Sequence, residues 1–403
     1  MAGKFLLRSI IYNIFRGIAH LGVPLMKIAE VTAFPVTVPV PEDQRVTLGI
    51  GRMVKRDTVV VKVLTDDGLI GWGESHHGRA HLAIAALVNT TLRQLVRGMD
   101  ATDVNGVWSK IYKFQLGSHG MGAACAMAMS GIDMALWDIR GKAAGWPLYK
   151  LLGGSNNKVP CYAGGISLGY QAPESLAVEA AGFVAQGFKA LKLRIGDTPK
   201  NDCLRVEAVR HALGDDVDIL TDANASYALA DARRVMPCLE ACKVGWLEEP
   251  FPAADYRNYR EAKAIGKTPL AAGENHFTRF EFSRLIEESV VGILQPDLSK
   301  CGGITEGLKI AAMASAYKLP VHCHSSMGIN MAATVHFLSA IENAGYFEAD
   351  CSLSNPLRDK LIDPPIQVSG DGTISPGEKP GIGIEVDEDM IRHYAGVEGP
   401  GYV

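Results

Sequence analysis

Three acidic residues, Asp222, Glu248 and Glu274, each close a short apolar run: DILTD (218–222), VGWLE (244–248) and PLAAGE (269–274). Such a run reads as a buried strand presenting one polar group at its C-terminal tip. Taken singly, each acid could equally cap the helix that follows it. Converging from neighbouring strands, three carboxylates repel one another strongly unless a cation sits between them. A divalent-metal site is therefore the first expectation.

The elements that must position these acids follow from their spacing. From residue 156 the chain alternates strand and helix patterns, with tips at Tyr162, Lys192, Asp222, Glu248, Glu274, Asp297, His324 and Glu348. The intervals between them are 30, 30, 26, 26, 23, 27 and 24 residues, each with room for one helix such as GGITEGLKIAAMASAYK. Eight tips at that pace predict an α/β fold, a βα barrel over residues 156–355, whose catalytic groups belong at the C-terminal ends of its strands. Residues 26–155 read as an α+β block. Strand alternation in TVVVKVLTDDGLIGWGE, with a hairpin turn at Asp66-Asp67-Gly68, gives way to a helical period in ACAMAMSGIDMALWDIRGKAAG. Residues 1–25 mix basic and apolar types, but Arg8, Asn13, Arg16 and His20 interrupt any apolar core. They are expected to be a disordered extension.

Bulk properties narrow the class. A formal charge of −4 gives no basic field for nucleic acid, and no run approaches the ~20 apolar residues of a membrane span. Eight scattered cysteines without CxxC pairs read as reduced thiols, which suggests a cytoplasmic protein. Cys238 and Cys242, one helical turn apart, lack a partner pair and read as packing residues.

TDAN (221–224), WLEEP (246–250), AGEN (272–275), QPDLSKCGG (295–303), the basic pair of KLR (192–194) and SGIDMALWDIRGKAAGWPLYKLLGG (130–154) resemble the mandelate racemase-like subgroup of the enolase superfamily. The resemblance runs from Met26 to the C-terminus. It implies a modified (β/α)7β TIM barrel under a capping domain, with residues 356–403 returning to the cap. It implies Mg²⁺ as cofactor, held by Asp222, Glu248 and Glu274, whose hard oxygen donors suit that ion. Asn224 would orient a ligand or the substrate, and Glu249 would support the site. Asp297 and His324 match the family's dyad, in which a carboxylate fixes the imidazole tautomer and raises its basicity. His322 shares that strand face by period 2, so His324 is chosen on the family match and its place at the tip. Glu348 matches a carboxylate that hydrogen-bonds the developing enediolate, a role that works best if it carries or shares a proton. Lys192 would neutralise the substrate carboxylate.

The chain departs from the family at Arg194, where a second lysine commonly serves as base on the opposite face. Arginine stays protonated and cannot take that part. One-base chemistry is then expected: His324 removes an α-proton and a β-hydroxyl leaves, giving a 2-keto-3-deoxy acid from a sugar acid. His276, just past a strand tip, is either an acid for the leaving hydroxyl or simply the start of the next helix. In this family, cap loops over the barrel mouth set specificity, here Pro41 to Asp57 and Glu74 to Arg79, with Gly-rich LGIGR suited to a lid. Arg45, Arg52, His76 and His77 are candidates to read hydroxyls or a distal carboxylate. Tyr162 is a further candidate contact; Ser118 and His119 are weaker ones. Competing readings are a racemase, epimerase or cycloisomerase on the same enediolate, and a non-catalytic binding barrel. The resemblance also suggests a homo-oligomer.

Overall fold

The computed structural model describes residues 26–325 and 327–403, so the extension expected at residues 1–25 lies outside the described residues. Three antiparallel strands open the cap, β1 (Ile28–Pro39), β2 (Lys55–Thr65) and β3 (Ile70–Ser75), in the order β1-β2-β3. The hairpin turn between β2 and β3 falls at Asp66–Gly68, with Gly68 at φ +91°. The helices that follow include α1 (Val104–Ile111) and the 22-residue α2 (Ala123–Ala144). From Cys125 to Ile139 every residue of α2 is buried. Its near-continuous apolar run, GIDMALW included, reflects burial on both sides rather than a single amphipathic face. One side lies on the cap sheet so closely that a Cβ at Gly73 would stand 2.1 Å from the Gly131 carbonyl oxygen.

The other side of α2 meets the barrel. Trp137 Nε1 donates to Thr305 Oγ1 at 2.8 Å, Trp108 Nε1 donates to the Gly302 carbonyl at 3.0 Å, and the Gly302 amide donates to Ser130 Oγ at 2.9 Å. Gly303 sits at φ +90°, and a Cβ there would strike the Asp133 carboxylate at 2.3 Å. The glycine pair of QPDLSKCGG is thus demanded by cap contact.

The barrel strands are β4 (Val159–Gly164), β5 (Ala190–Arg194), β6 (Asp218–Asp222), β7 (Leu247–Glu248), β8 (Leu270–Ala272), β9 (Ile293–Leu294) and β10 (Phe347–Asp350). They pair in parallel in the order β9-β8-β7-β6-β5-β4-β10. Between β9 and β10 the place of a seventh strand is held by Val321, bridged in parallel to Leu294 on one side and Ala344 on the other. Helices follow each of the first seven positions, among them α3 (Pro173–Ala185), α4 (Pro199–Leu213), α5 (Leu229–Ala241), α6 (Tyr256–Lys263), α7 (Thr278–Glu287), α8 (Ile304–Ala316) and α9 (Gly328–Leu338). This is the α/β, (β/α)7β plan expected from the sequence. Its later strands are shorter than expected: Glu274 stands two residues, and Asp297 three, beyond the last strand residue.

The C-terminal segment first pairs Thr373–Ile374 antiparallel with the start of β4, under the barrel. It then climbs to the cap, where Val36 bridges Ala395 and Met53 bridges Tyr402. All eight cysteines are free. No helix among the described residues is long and apolar enough to cross a membrane.

Candidate active site

Parallel register brings the acids together. Arg194 pairs with Asp222 across β5 and β6, and Asp222 with Glu248 across β6 and β7, so neighbouring strands end at one level. One ligand oxygen from each of Asp222, Glu248 and Glu274 lies within 4.8 Å of the others. Asp222 and Glu248 are fully buried. Asn224 sits at φ +46°, a left-handed turn that asparagine tolerates. From there its amide donates to Asp222 Oδ1 at 2.8 Å. Trp246 Nε1 and Gln295 Nε2 both donate to Glu248 Oε2, at 3.1 and 2.6 Å. Asn275 Nδ2 donates to Glu249 at 2.8 Å and to Glu274 at 3.2 Å.

Three cations balance these acids. Lys192 Nζ lies 2.8 Å from Glu248 Oε1, 3.0 Å from Glu348 Oε1 and 3.6 Å from Asp222 Oδ2. Arg194 donates through Nη1 to Asp222 and through Nη2 to the Gly165 carbonyl at 2.5 Å. Lys300 Nζ is 3.2 Å from Glu274 Oε1. Burial works against the charge on Lys192 and Arg194, yet their carboxylate partners hold both pKa values above the ordinary range. Arg194 is fixed as a cation. Burial would likewise raise Glu348, but Lys192, His324 and Arg194 bring it down to about 2. In this arrangement it is an acceptor, with the Gly165 amide donating to it at 3.1 Å.

The dyad faces these groups. His324 Nδ1 is 2.6 Å from Asp297 Oδ2, and Nε2 is 3.3 Å from Glu274 Oε2. Asp297 Oδ1 is held by the Ser299 amide at 2.7 Å, Ser299 Oγ at 2.6 Å and Asn330 Nδ2 at 3.0 Å. Burial alone would lower the His324 pKa; the charge of Glu274 and the bond to Asp297 lift it to about 9.

A cavity of about 210 Å³ joins these groups to the cap. From the barrel, Arg194, Asn224, Glu249, Glu274 and His324 line it; from the cap, His76, His77, Arg56 and Arg79. Tyr402 of the C-terminal tail closes one side. Burial keeps both histidines neutral, His77 near 3.

Several expected contacts fall elsewhere. Tyr162 lies inside the barrel below the mouth, edge-on to Trp246, with Lys192 Nζ 5.4 Å from its ring centre; its strand runs on to Gly164. His322 packs beside it, 5.1 Å from Trp246, and accepts the Tyr346 amide at 2.9 Å. His276 is buried against Tyr256 and Phe282 with Nε2 3.1 Å from the Ala253 carbonyl. Of its two expected roles, the geometry matches the structural one. Arg45 and Arg52 turn back on their own loop, to the carbonyls of Val40 and Glu42. Ser118 and His119 are exposed and do not line the cavity. Lys300, Arg56, Arg79 and Tyr402 were not singled out by sequence reasoning. Lys300 lies inside the quoted QPDLSKCGG motif, whereas nothing in the sequence links Tyr402 to a barrel mouth.

Residues 30–153 match the mandelate racemase / muconate lactonizing enzyme N-terminal domain, and residues 175–390 match the enolase C-terminal domain-like family. An arabinonate dehydratase of Saccharolobus solfataricus is 33% identical, over 87% of this chain and 95% of its own. A D-galactonate dehydratase of Xanthomonas oryzae pv. oryzae is 34% identical, over 82% and 89%. A 3,6-anhydro-alpha-L-galactonate cycloisomerase of Streptomyces coelicolor is 32% identical, over 86% and 93%. Among solved structures, a member of the enolase superfamily from Polaromonas sp. JS666 superposes with a TM-score of 0.92 at 54% identity, covering 94% of this chain and 100% of that one. A racemase from Streptomyces coelicolor A3(2) with bound magnesium superposes at 0.83 and 30% identity, covering 91% and 99%.

Proposed function

This chain belongs to the mandelate racemase / muconate lactonizing enzyme family of the enolase superfamily, and from that premise we propose that it is a Mg²⁺-dependent dehydratase of a polyhydroxy (sugar) acid. The donor set fits the ion: three carboxylates and no nitrogen or sulfur, with ligand oxygens within 4.8 Å of one another. When bound, the cation supplies the concentrated positive charge that balances these acids and favours enolisation of a neighbouring carboxylate.

The chain's own groups account for the remaining steps. Lys192 and Arg194 present fixed positive charge beside the acids and draw the substrate carboxylate in. His324, in its neutral form, takes the α-proton on Nε2, because Asp297 occupies Nδ1 and three further donors lock Asp297 in place. The C–H electrons form an enediolate. Its collapse breaks the β C–O bond, and the hydroxyl leaves as water, taking a proton that His324 can return in a syn elimination. The enol product tautomerises to a 2-keto-3-deoxy acid. The observation that carries this reading is Arg194. A two-base racemase needs a second proton acceptor across the substrate, and at that strand tip stands a guanidinium paired with Asp222.

A second reading, cycloisomerisation, is supported by the Streptomyces relative; it shares the enediolate and differs in releasing no water. The test is a panel of aldonic and aldaric acids with Mg²⁺, read by 2-keto acid formation, with chelator controls. Dehydration predicts keto acid from at least one acid, lost on chelation and restored by Mg²⁺. Turnover that is indifferent to chelation would overturn the metal dependence, and isomerised product without keto acid would overturn the dehydration.

A further inference from the structure

The ionic groups lining the cavity divide by wall. On the barrel wall each cation has a carboxylate: Lys300 with Glu274 at 3.2 Å, His324 with Asp297 at 2.6 Å, and Arg194 with Asp222. On the cap wall Lys55 has Asp57 at 3.3 Å. Two lining guanidiniums, Arg56 and Arg79, have no carboxylate within 4.0 Å among the described residues.

Arg56 is the more telling of the two. It is 2% exposed, yet its partners are neutral: Nη1 rests on Met53 Sδ at 3.0 Å, Nη2 donates to the Leu353 carbonyl at 3.0 Å, and Nε has no partner. Burying a guanidinium without a counter-charge is unfavourable unless something else supplies one. The nearby Asp350 is already engaged. It accepts from Ser352 Oγ at 2.5 Å and Asn355 Nδ2 at 2.6 Å, and Arg358 stands 3.6 Å away. Arg79 lies across the same cavity, its guanidinium 5.3 Å from the ring centre of Tyr402. Backbone pairing fixes this wall: the Arg52 amide donates to the Val403 carbonyl at 2.8 Å, and the Val54 amide to the Gly401 carbonyl at 2.9 Å.

We propose that Arg56 and Arg79 form a subsite for a second carboxylate, so that the substrate is a dicarboxylic sugar acid of the aldaric class. One carboxylate lies against the barrel wall and the distal one against the cap guanidiniums, which supply the planar donor forks a carboxylate fits. The assignment of which end reacts rests on the dehydratase reading; the binding preference does not.

The test is calorimetric, on Mg²⁺-loaded enzyme carrying His324→Asn so that nothing turns over. Its probes are pairs differing only at the terminal carbon: gluconate and glucarate, galactonate and galactarate, mannonate and mannarate. The diacid of the best-binding pair should bind at least ~10-fold tighter than its monoacid. Arg56→Met and, separately, Arg79→Met should each shrink that ratio severalfold. Arg79 is exposed, so its variant keeps the test open if Arg56→Met fails to fold. Equal affinities for monoacid and diacid, or a preference that survives in Arg79→Met, would overturn the subsite. So would tighter binding of 6-phosphogluconate than of glucarate, which would assign it to phosphate. Keto acid formed from monoacids without diacid preference would sink this inference alone; diacid preference without keto acid would sink the dehydratase alone.

Discussion

The two walls of the cavity are built in different ways. The barrel wall is a closed ionic network in which Lys192, Arg194, Lys300 and His324 each answer a carboxylate, the first two delivered by strand register and the others by the loops just beyond the strand ends. The cap wall gathers residues from loops and from the far end of the chain, and leaves Arg56 and Arg79 without a carboxylate. A preorganised network suits chemistry that must be repeated without rearrangement. Unmatched cations suit recognition, since the ligand completes them. On the proposed function, proton transfer belongs to the barrel and selection to the cap.

Three substitutions probe that division, in decreasing order of effect. His324→Asn removes the one imidazole in the cavity lining that is paired with a carboxylate among the described residues. It should cut kcat by about 10²–10⁴-fold while Mg²⁺ binding, measured by calorimetry, persists; comparable activity would move the base off the barrel wall. Next comes the seam between the walls. Asn330 gives its amide to the cap residue Glu74 at 2.9 Å and its side chain to Asp297 at 3.0 Å. Asn330→Ala should lower kcat by roughly tenfold and displace the pH-rate limb belonging to His324, with KM little changed. An unmoved pH profile would mean that the residue serves folding alone.

The smallest effect is on stability. Asp133, on the cap helix against the barrel, accepts the Thr305 amide at 2.9 Å through one oxygen, while the other has no partner. Burial raises its pKa to about 7 from an unfolded value of 3.8. The folded state therefore favours the protonated acid. That contribution is fully present below about pH 4 and is lost as pH rises through 7. Asp133→Asn should gain on the parent steadily as pH rises from 4 to 8, read by denaturant unfolding. A pH-independent difference would show that Asp133 is ionised throughout.

The same division explains what the sequence could reveal. Asp222, Glu248, Glu274, Asp297 and His324 were readable because a barrel strand must end where its helix begins, and parallel register then makes linear spacing into proximity. The choice of His324 over His322 came from resemblance, and the ring packing of His322 against Trp246 shows why: both follow Val321 at period-2 spacing, one in the interior and one at the mouth. Tyr162 misled because its strand continues two residues further, which lowers the ring beneath Lys192. Cap loops have no such period. Arg52 and Arg56 lie in one segment, yet Arg52 turns to the Glu42 carbonyl while Arg56, inside β2, lines the cavity. Asp350 carried a usable signal, sharing by period 2 the strand face of Glu348. Tyr402 carried none, because its place depends on a tail pairing with a loop some 350 residues earlier in the sequence.

The central claim, one-base abstraction followed by loss of water, is tested most directly by turnover in D₂O with Mg²⁺ on the preferred acid, followed by proton NMR of substrate and product. The account predicts 2-keto-3-deoxy acid carrying solvent deuterium at C3, with no inversion at C2 of the remaining substrate. Deuterium accumulating at C2 with inverted configuration and no keto acid would contradict it, and would place a second base opposite His324.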